Sequence, residues 1–379
     1  SLTGETIETI QPTTQLLNIS LKMKKTIIAM AAACAALAAC NKEPISSAIV
    51  TPSEEGVGQI SFTVAGDEPA ETRAVTAYTT AQTYESQVNK VQVFVFGSDG
   101  AINFYQNLGT ATSGSISTTA GTKTVWAVVN GPDLSTIGTL SALQATAVDL
   151  SANSTTASTG FVMAGSSTVS VTNGGTASCA ITVSRLVSRV ALSTVVNKLP
   201  ESYGALTIDR VFLCNVVGNQ NLAGNAAAST WYNKNGRADE STRNTAHIID
   251  GSTYKASCET LTYKGVSQSV ANGAAHTPST PYLFYSFPNS STAAPSGFQS
   301  TFAAQRSVLT VVATISGKTY YYPVVLDNAT LERNKSYTVG LTITGLGSED
   351  PNKPVEKGSL SASITVSGWT AGANYDETI

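Results

Sequence analysis

Apolar and polar residues alternate with a period of two along most of this chain, and the period of a helix is scarcely visible. Ile60, Phe62 and Val64 alternate with Ser61 and Thr63, which predicts a half-buried strand. Val91 to Phe96 is a denser apolar run that turns at Ser98-Asp99-Gly100 and returns as Ile102 to Tyr105, a hairpin whose glycine supplies the positive φ of a tight turn. Thr124 to Val129 predicts a further strand, and Val169 to Val171 and Cys179 to Val183 flank Asn173-Gly174-Gly175 as a second hairpin. Leu140 to Leu150, with Leu143 and Val148, predicts a short helix. Patterning lapses at Asn197 to Ser202, where Pro200 intervenes, and this reads as a linker. Beyond it Leu206 to Val217, Tyr282 to Phe287, Ser307 to Ile315, Tyr320 to Leu326, Tyr337 to Ile343 and Leu360 to Val366 repeat the style, with an Asn/Ala/Ser-rich excursion from Gly218 to Ser257. Short strands joined by turn signals predict an all-β chain of two tandem β-sandwiches with little helix.

The first 56 residues change the picture, because they do not read as part of a packed body. Met23-Lys24-Lys25 and the apolar run to Leu37 have the charged start and short hydrophobic core of a secretory signal. The run is too short to span a bilayer stably. It ends in Leu37-Ala38-Ala39-Cys40, which resembles a bacterial lipobox and implies that Cys40 is diacylated and becomes the first residue of an exported lipoprotein. The expected division is therefore 1–22, an upstream extension without an assigned role; 23–39, signal peptide; 40–73, propeptide with a removable first strand; 74–200, N-terminal sandwich; and 201–379, C-terminal sandwich.

Composition narrows the chemistry. The 379 residues suit two domains and a leader. Hydrophobic residues reach 42% but charged ones only 12%, about half the usual share, so the chain is neither disordered nor highly charged. A formal charge of −3 gives no basic surface, and nucleic acid is not an expected partner. With only His247 and His276 and no CxxC or HExxH, neither a metal site, a cofactor nor catalysis is expected. Cys179 alternates with Ala177, Ile181 and Val183 and reads as a buried thiol, while the state of Cys214 and Cys258 stays open. Ser316-Gly317-Lys318-Thr319 lacks the first glycine of a phosphate loop, since Val312 stands there, and reads as a hairpin turn. Tyr282, Tyr285, Tyr320, Tyr321 and Tyr322 admit a sugar-stacking platform, but their strand positions favour cross-strand packing.

Two features gain meaning as a pair. Arg73 is the single arginine between Cys40 and Lys90, in a small-residue stretch after the Ile60/Phe62/Val64 strand, where a trypsin-like protease finds an accessible bond before Ala74. At the other end Leu360, Ala362, Ile364 and Val366 alternate with Ser361, Ser363 and Thr365. Together they suggest a first strand that is cut away and a last strand able to replace it.

The residues also resemble a family. The lipobox at Cys40, Glu71-Thr72-Arg73-Ala74, Val91 to Phe96, Gly121 to Asn130, Phe161 to Gly165, Arg185-Leu186-Val187-Ser188-Arg189-Val190, Asn334-Lys335-Ser336-Tyr337 and Thr342 to Gly345 are similar, in order and spacing, to the fimbrillins of Bacteroidales, the lipoprotein-precursor pilins called type V. The resemblance implies two transthyretin-like sandwiches, anchorage of the precursor in the outer membrane through its lipid, cleavage after Arg73 by an arginine-specific protease, and polymerisation by strand exchange into a cell-surface fimbrium. It implies as partners further copies of the chain, accessory fimbrial subunits and a host protein or glycan. Carried over by position, Ile60, Phe62 and Val64 lie on the strand that is lost, and Leu360, Ala362, Ile364 and Val366 on the donor. The rival readings are a monomeric glycan-binding surface lipoprotein, and an accessory tip or anchor pilin. A shaft subunit needs both the cut site and the spare strand.

Overall fold

Period-two alternation becomes strand wherever one face can be covered, and here two pairs of layers cover each other. The computed structural model describes residues 56–67, 82–153, 159–234, 262–280, 282–295, 302–326, 330–351, 353, 355, 359–368 and 377–378. Its principal strands are β1 Val57–Gly66, β2 Val91–Phe96, β3 Ile102–Asn107, β4 Ser113–Thr119, β5 Gly121–Val129, β6 Met163–Val171, β7 Thr176–Arg185, β8 Ser188–Asn197, β9 Leu206–Cys214, β10 Thr262–Val270, β11 Tyr282–Ser286, β12 Val308–Ile315, β13 Lys318–Val325, β14 Lys335–Ile343 and β15 Leu360–Gly368. Two short helices, α1 Thr83–Ser86 and α2 Leu140–Ala145, interrupt them. All of these lie within one compact unit, Glu55–Ile379. The all-β class and the paucity of helix agree with the expectation.

The first sandwich follows the strand path β3-β2-β5-β6-β7-β1-β4. Between β6 and β7 the path folds over, because these strands pair only through Met163↔Arg185 and Ala164↔Ser184. Gly165 sits at that crossing, where a Cβ would run into the carbonyl oxygen of Thr182. The turn expected at Asn173-Gly174-Gly175 forms, with Gly174 at φ +70°, yet its arms do not make the expected hairpin. They diverge into opposite layers, and β1, more than 100 residues earlier in sequence, takes the place beside β7. Val91, Val93 and Val95 point between the layers toward Ile60, Phe62 and Val64. Phe94 and Phe96 point the other way, into the core of the second sandwich with Trp126 and Val128, which is why the whole β2 run is apolar.

In the second sandwich the layer β10-β9-β12-β13 faces a layer in which β8 pairs with β14 in parallel, β14 with β15 antiparallel, and β11 lies on the other side of β8. Sheet membership thus changes between Arg185 and Ser188, whereas the expected division fell at 200. The lapse at Asn197 to Ser202 is a real turn, with a short 3-10 helix at Glu201–Tyr203, but it joins β8 to β9 within one sandwich. The short helix expected in Leu140 to Leu150 is α2, after which Ala147–Asp149 pairs with Asn219–Asn221 at the start of the polar excursion. Strand β10 was not anticipated. It is an edge strand, and a register shift opposite Ile208/Arg210, with Gly265 and Ser267 at positive φ, breaks its alternation.

Candidate assembly site

Strand β1 has a covered inward face and an open outward one: Gly58, Ile60, Phe62 and Val64 are buried, while Gln59, Ser61 and Thr63 are exposed. It is an inner strand. On one side it pairs in parallel with β7, from Gln59↔Thr176 to Gly66↔Val183, and on the other antiparallel with β4, from Val57↔Thr119 to Thr63↔Ser113. Strand β4 has no other ladder among the described residues. Removing β1 would therefore leave β7 and β4 with unpaired N–H and C=O groups and uncover an apolar groove.

Local fit inside the groove is specific. A Cβ at Gly58 would stand 2.5 Å from the Thr172 carbonyl oxygen and 2.6 Å from Val171 Cγ1, so only glycine passes there. Gly114 of β4 lies opposite Phe62, and a Cβ on it would come within 2.8 Å of the ring. Opposite Phe62 on the β7 side stands Cys179, a buried free thiol whose pKa is raised by burial. At the far end, Val64, Gly66, Val129, Met163 and Val183 on one side and Asp67, Ser86 and Arg185 on the other line a cavity of about 120 Å³ that β1 does not fill.

Where β1 ends, the Asp67 carboxylate accepts a hydrogen bond from Asn334 Nδ2 at 3.2 Å, and Asn334 Oδ1 accepts from Arg185 at 3.2 Å. Arg185 Nε donates to the Glu85 carbonyl at 2.6 Å. The Glu85 carboxylate, fully buried, accepts from Arg189 at 3.0 Å, from Tyr285 Oη at 2.6 Å and from the Gln82 amide at 2.7 Å. Arg189, also fully buried, further donates to Ser336 Oγ at 2.9 Å. Burial raises the Tyr84 phenol to about 12 and drives Tyr285 well above its ordinary value, so both hydroxyls stay protonated donors beside the carboxylate. This cluster joins the exit of β1 to the start of β8 and β14. Arg185 and Arg189 stand out in the sequence only as part of a motif, and Glu85 does not stand out at all, since an isolated acid in a polar stretch carries no pattern.

The last strand, β15, is seated in its own chain. It pairs with β14 over its whole length, from Ile343↔Leu360 to Lys335↔Gly368, and with Glu377–Thr378 at two positions. Ala362 and Ile364 are buried in the second core and Leu360 packs against it. Cys40, Arg73 and Ala74 lie outside the described residues, as does the side chain of Val366. The tyrosines form no platform: Tyr285, Tyr320, Tyr321 and Tyr322 are buried, and half-buried Tyr282 stacks edge-on against Tyr263. Ser316 and Gly317, both at positive φ, turn β12 into β13, the hairpin expected in place of a phosphate loop.

Residues 59–203 match the family model described as major fimbrial subunit protein (FimA). No curated protein sequence matches the chain. Among solved structures, a candidate cell adhesion protein from Parabacteroides distasonis is similar over 84% of this chain and 99% of its own, with a TM-score of 0.56 at 17% identity. A fimbrilin (FimA) from Porphyromonas gingivalis is similar over 83% of this chain and 98% of its own, with a TM-score of 0.54 at 15% identity. A further candidate cell adhesion protein, from Bacteroides eggerthii, covers 85% of this chain and 98% of its own, with a TM-score of 0.53 at 19% identity. The resemblance to Bacteroidales fimbrillins holds in the family match and in the fold.

Proposed function

We propose that this chain, with a fimbrillin fold and a fimbrial-subunit match over residues 59–203, is a structural shaft subunit of a cell-surface fimbrium that supports adhesion. It is exported as a lipoprotein through Cys40, held in the outer membrane as a precursor, cut after Arg73 by an arginine-specific protease, and joined to further copies by strand exchange, with accessory subunits at the filament ends. It acts by assembly rather than catalysis.

The position of β1 carries this reading. An inner strand normally cannot leave a sheet, because chain enters and leaves it at both ends. Here β1 is the first element among the described residues, so the connection 68–81 joins it to the strands that follow, and Arg73 falls within that connection. One cut frees the strand. Burial of Ile60, Phe62 and Val64 at ~1.5–3 kcal/mol each gives roughly 5–9 kcal/mol gross, so the emptied groove is costly and takes up a replacement.

Strand β15 of another copy is the replacement. Among the described residues of its own chain it has one full ladder and one of two residues, whereas the groove offers ladders on both sides. Leaving β14 costs the burial of Ala362 and Ile364, and docking between β7 and β4 restores it. Arg73→Ala tests the reading: uncut subunits are expected to stay monomeric with β1 in place, and normal filaments from that variant would sink the assignment.

A further inference from the structure

The groove holds information about alignment as well as affinity. A strand slid by two residues keeps the same face inward, so alternation alone leaves several registers open for the incoming strand. Two local features of the groove select among them, and a third bears on why the resident strand must leave first.

We propose that the β15 strand of a second copy enters with Leu360, Ala362, Ile364 and Val366 in the places of Ile60, Phe62, Val64 and Gly66. This rests on the strand-exchange reading and deepens it by fixing the alignment. The first feature is Gly58, whose position admits no side chain against the Thr172 carbonyl and Val171. In the proposed register it is taken by Gly358, which precedes Leu360 by two residues as Gly58 precedes Ile60. A shift of two one way puts Leu360 there, and a shift of four puts Ala362 there; both collide with backbone.

The second feature is the cavity at the far end of β1. Val64 and Gly66 leave about 120 Å³ open, with Val129, Met163 and Val183 on its apolar side and Asp67, Ser86 and Arg185 at its rim. Ile364 adds a methylene over Val64 and Val366 adds a whole side chain over Gly66, so the incoming strand is larger where the resident one is too small. A shift of two the other way sends Ala362 to the Val64 place, where the cavity grows.

The third feature is the Phe62–Gly114 contact. Gly114 makes room for the resident ring, and Ala362 in that place leaves space over Gly114. The resident strand thus fills the centre better and the incoming strand fills the end better. Exchange is then unfavourable at the centre while β1 is present, which accounts for a requirement to cut it away first.

Cysteine cross-linking in assembled filaments reads the register directly. Ser61 lies opposite Ser115 on the exposed face of the β1–β4 ladder, so the residue that replaces Ser61 comes opposite Ser115 of its neighbour. Ser115→Cys is combined in turn with Ser359→Cys, Ser361→Cys and Ser363→Cys, and the filaments are oxidised and run on denaturing gels without reductant. The expected result is a ladder of linked subunits with Ser361→Cys alone. A ladder with Ser359→Cys or Ser363→Cys instead overturns the register and keeps the donor. Intact filaments that link with none of the three overturn the donor reading itself, and the register with it. Gly114→Ala supplies a second measurement: it is expected to lower the melting temperature of the uncut precursor while leaving the dissociation temperature of filaments unchanged. An equal fall in both would mean that a ring-sized side chain occupies that place in filaments, against the proposal.

Discussion

Few atoms decide whether a strand fits this groove. Gly58 is excluded from bearing a side chain by a carbonyl oxygen, and Phe62 fills a space kept open by Gly114. Cys179 lies beside Phe62 and is covered as long as β1 stays in place. Its labelling therefore reports the state of the groove. In the precursor it should resist a maleimide, both because it is buried and because burial raises its pKa and holds it as the unreactive thiol. After the cut, and before a donor arrives, its site-resolved labelling rate is expected to rise on the order of tenfold or more, as an exposed thiol regains thiolate character. An unchanged rate on cleavage would show that β1 remains seated. The inward positions of β1 were legible from alternation, and so was the buried character of Cys179. Their partners were not, because Gly114 and Cys179 meet Phe62 through pairings remote in sequence.

Elements are tied together by a cluster that patterning does not reveal. Helix α1 is a single turn whose use is to place the Glu85 carboxylate against Arg189 of β8, with Tyr285 of β11 completing its hydrogen bonds. Glu85→Ala leaves a buried guanidinium without its counter-charge and should cost about 3–5 kcal/mol in a urea titration of the precursor. A change below about 0.5 kcal/mol, the size usual for a surface substitution, would refute the structural weight given to this pair. The proposed donor can be examined without deleting it. Thr338 of β14 and Thr365 of β15 are directly paired and half-buried, so cysteines there would form a reducible tether. Cleaved subunits carrying Thr338→Cys and Thr365→Cys should fail to polymerise when oxidised and recover on reduction; assembly of the oxidised form would assign the donor role to another segment. A blunter change such as Ile364→Asp confuses two effects, because Ile364 is also buried in its own chain. The seating of this strand in its own chain was hidden in the sequence, where Leu360 to Val366 read as a spare strand. Alternation shows that one face of a strand is covered, and it does not say by which chain.

At the scale of the whole molecule, two sandwiches share one continuous apolar cluster, with Phe94 and Phe96 of the first packed among residues of the second. The division expected at 200 came from local turn signals, and those mark loops within a sandwich as readily as loops between two. Sheet order, by contrast, depends on pairings such as β1 with β7 and β8 with β14, parallel contacts over more than 100 residues of chain that no local pattern encodes. The central claim is that the strand which completes the first sandwich is absent from the assembled subunit and its place is taken by another copy. Intact mass and N-terminal sequencing of subunits dissociated from native filaments measure this most directly. The account predicts a chain of 306 residues beginning at Ala74, since 379 − 73 = 306, with a diacylated Cys40 found only on the uncut precursor. Filament subunits that begin at Cys40, or at any residue that retains Val57–Gly66, would contradict it.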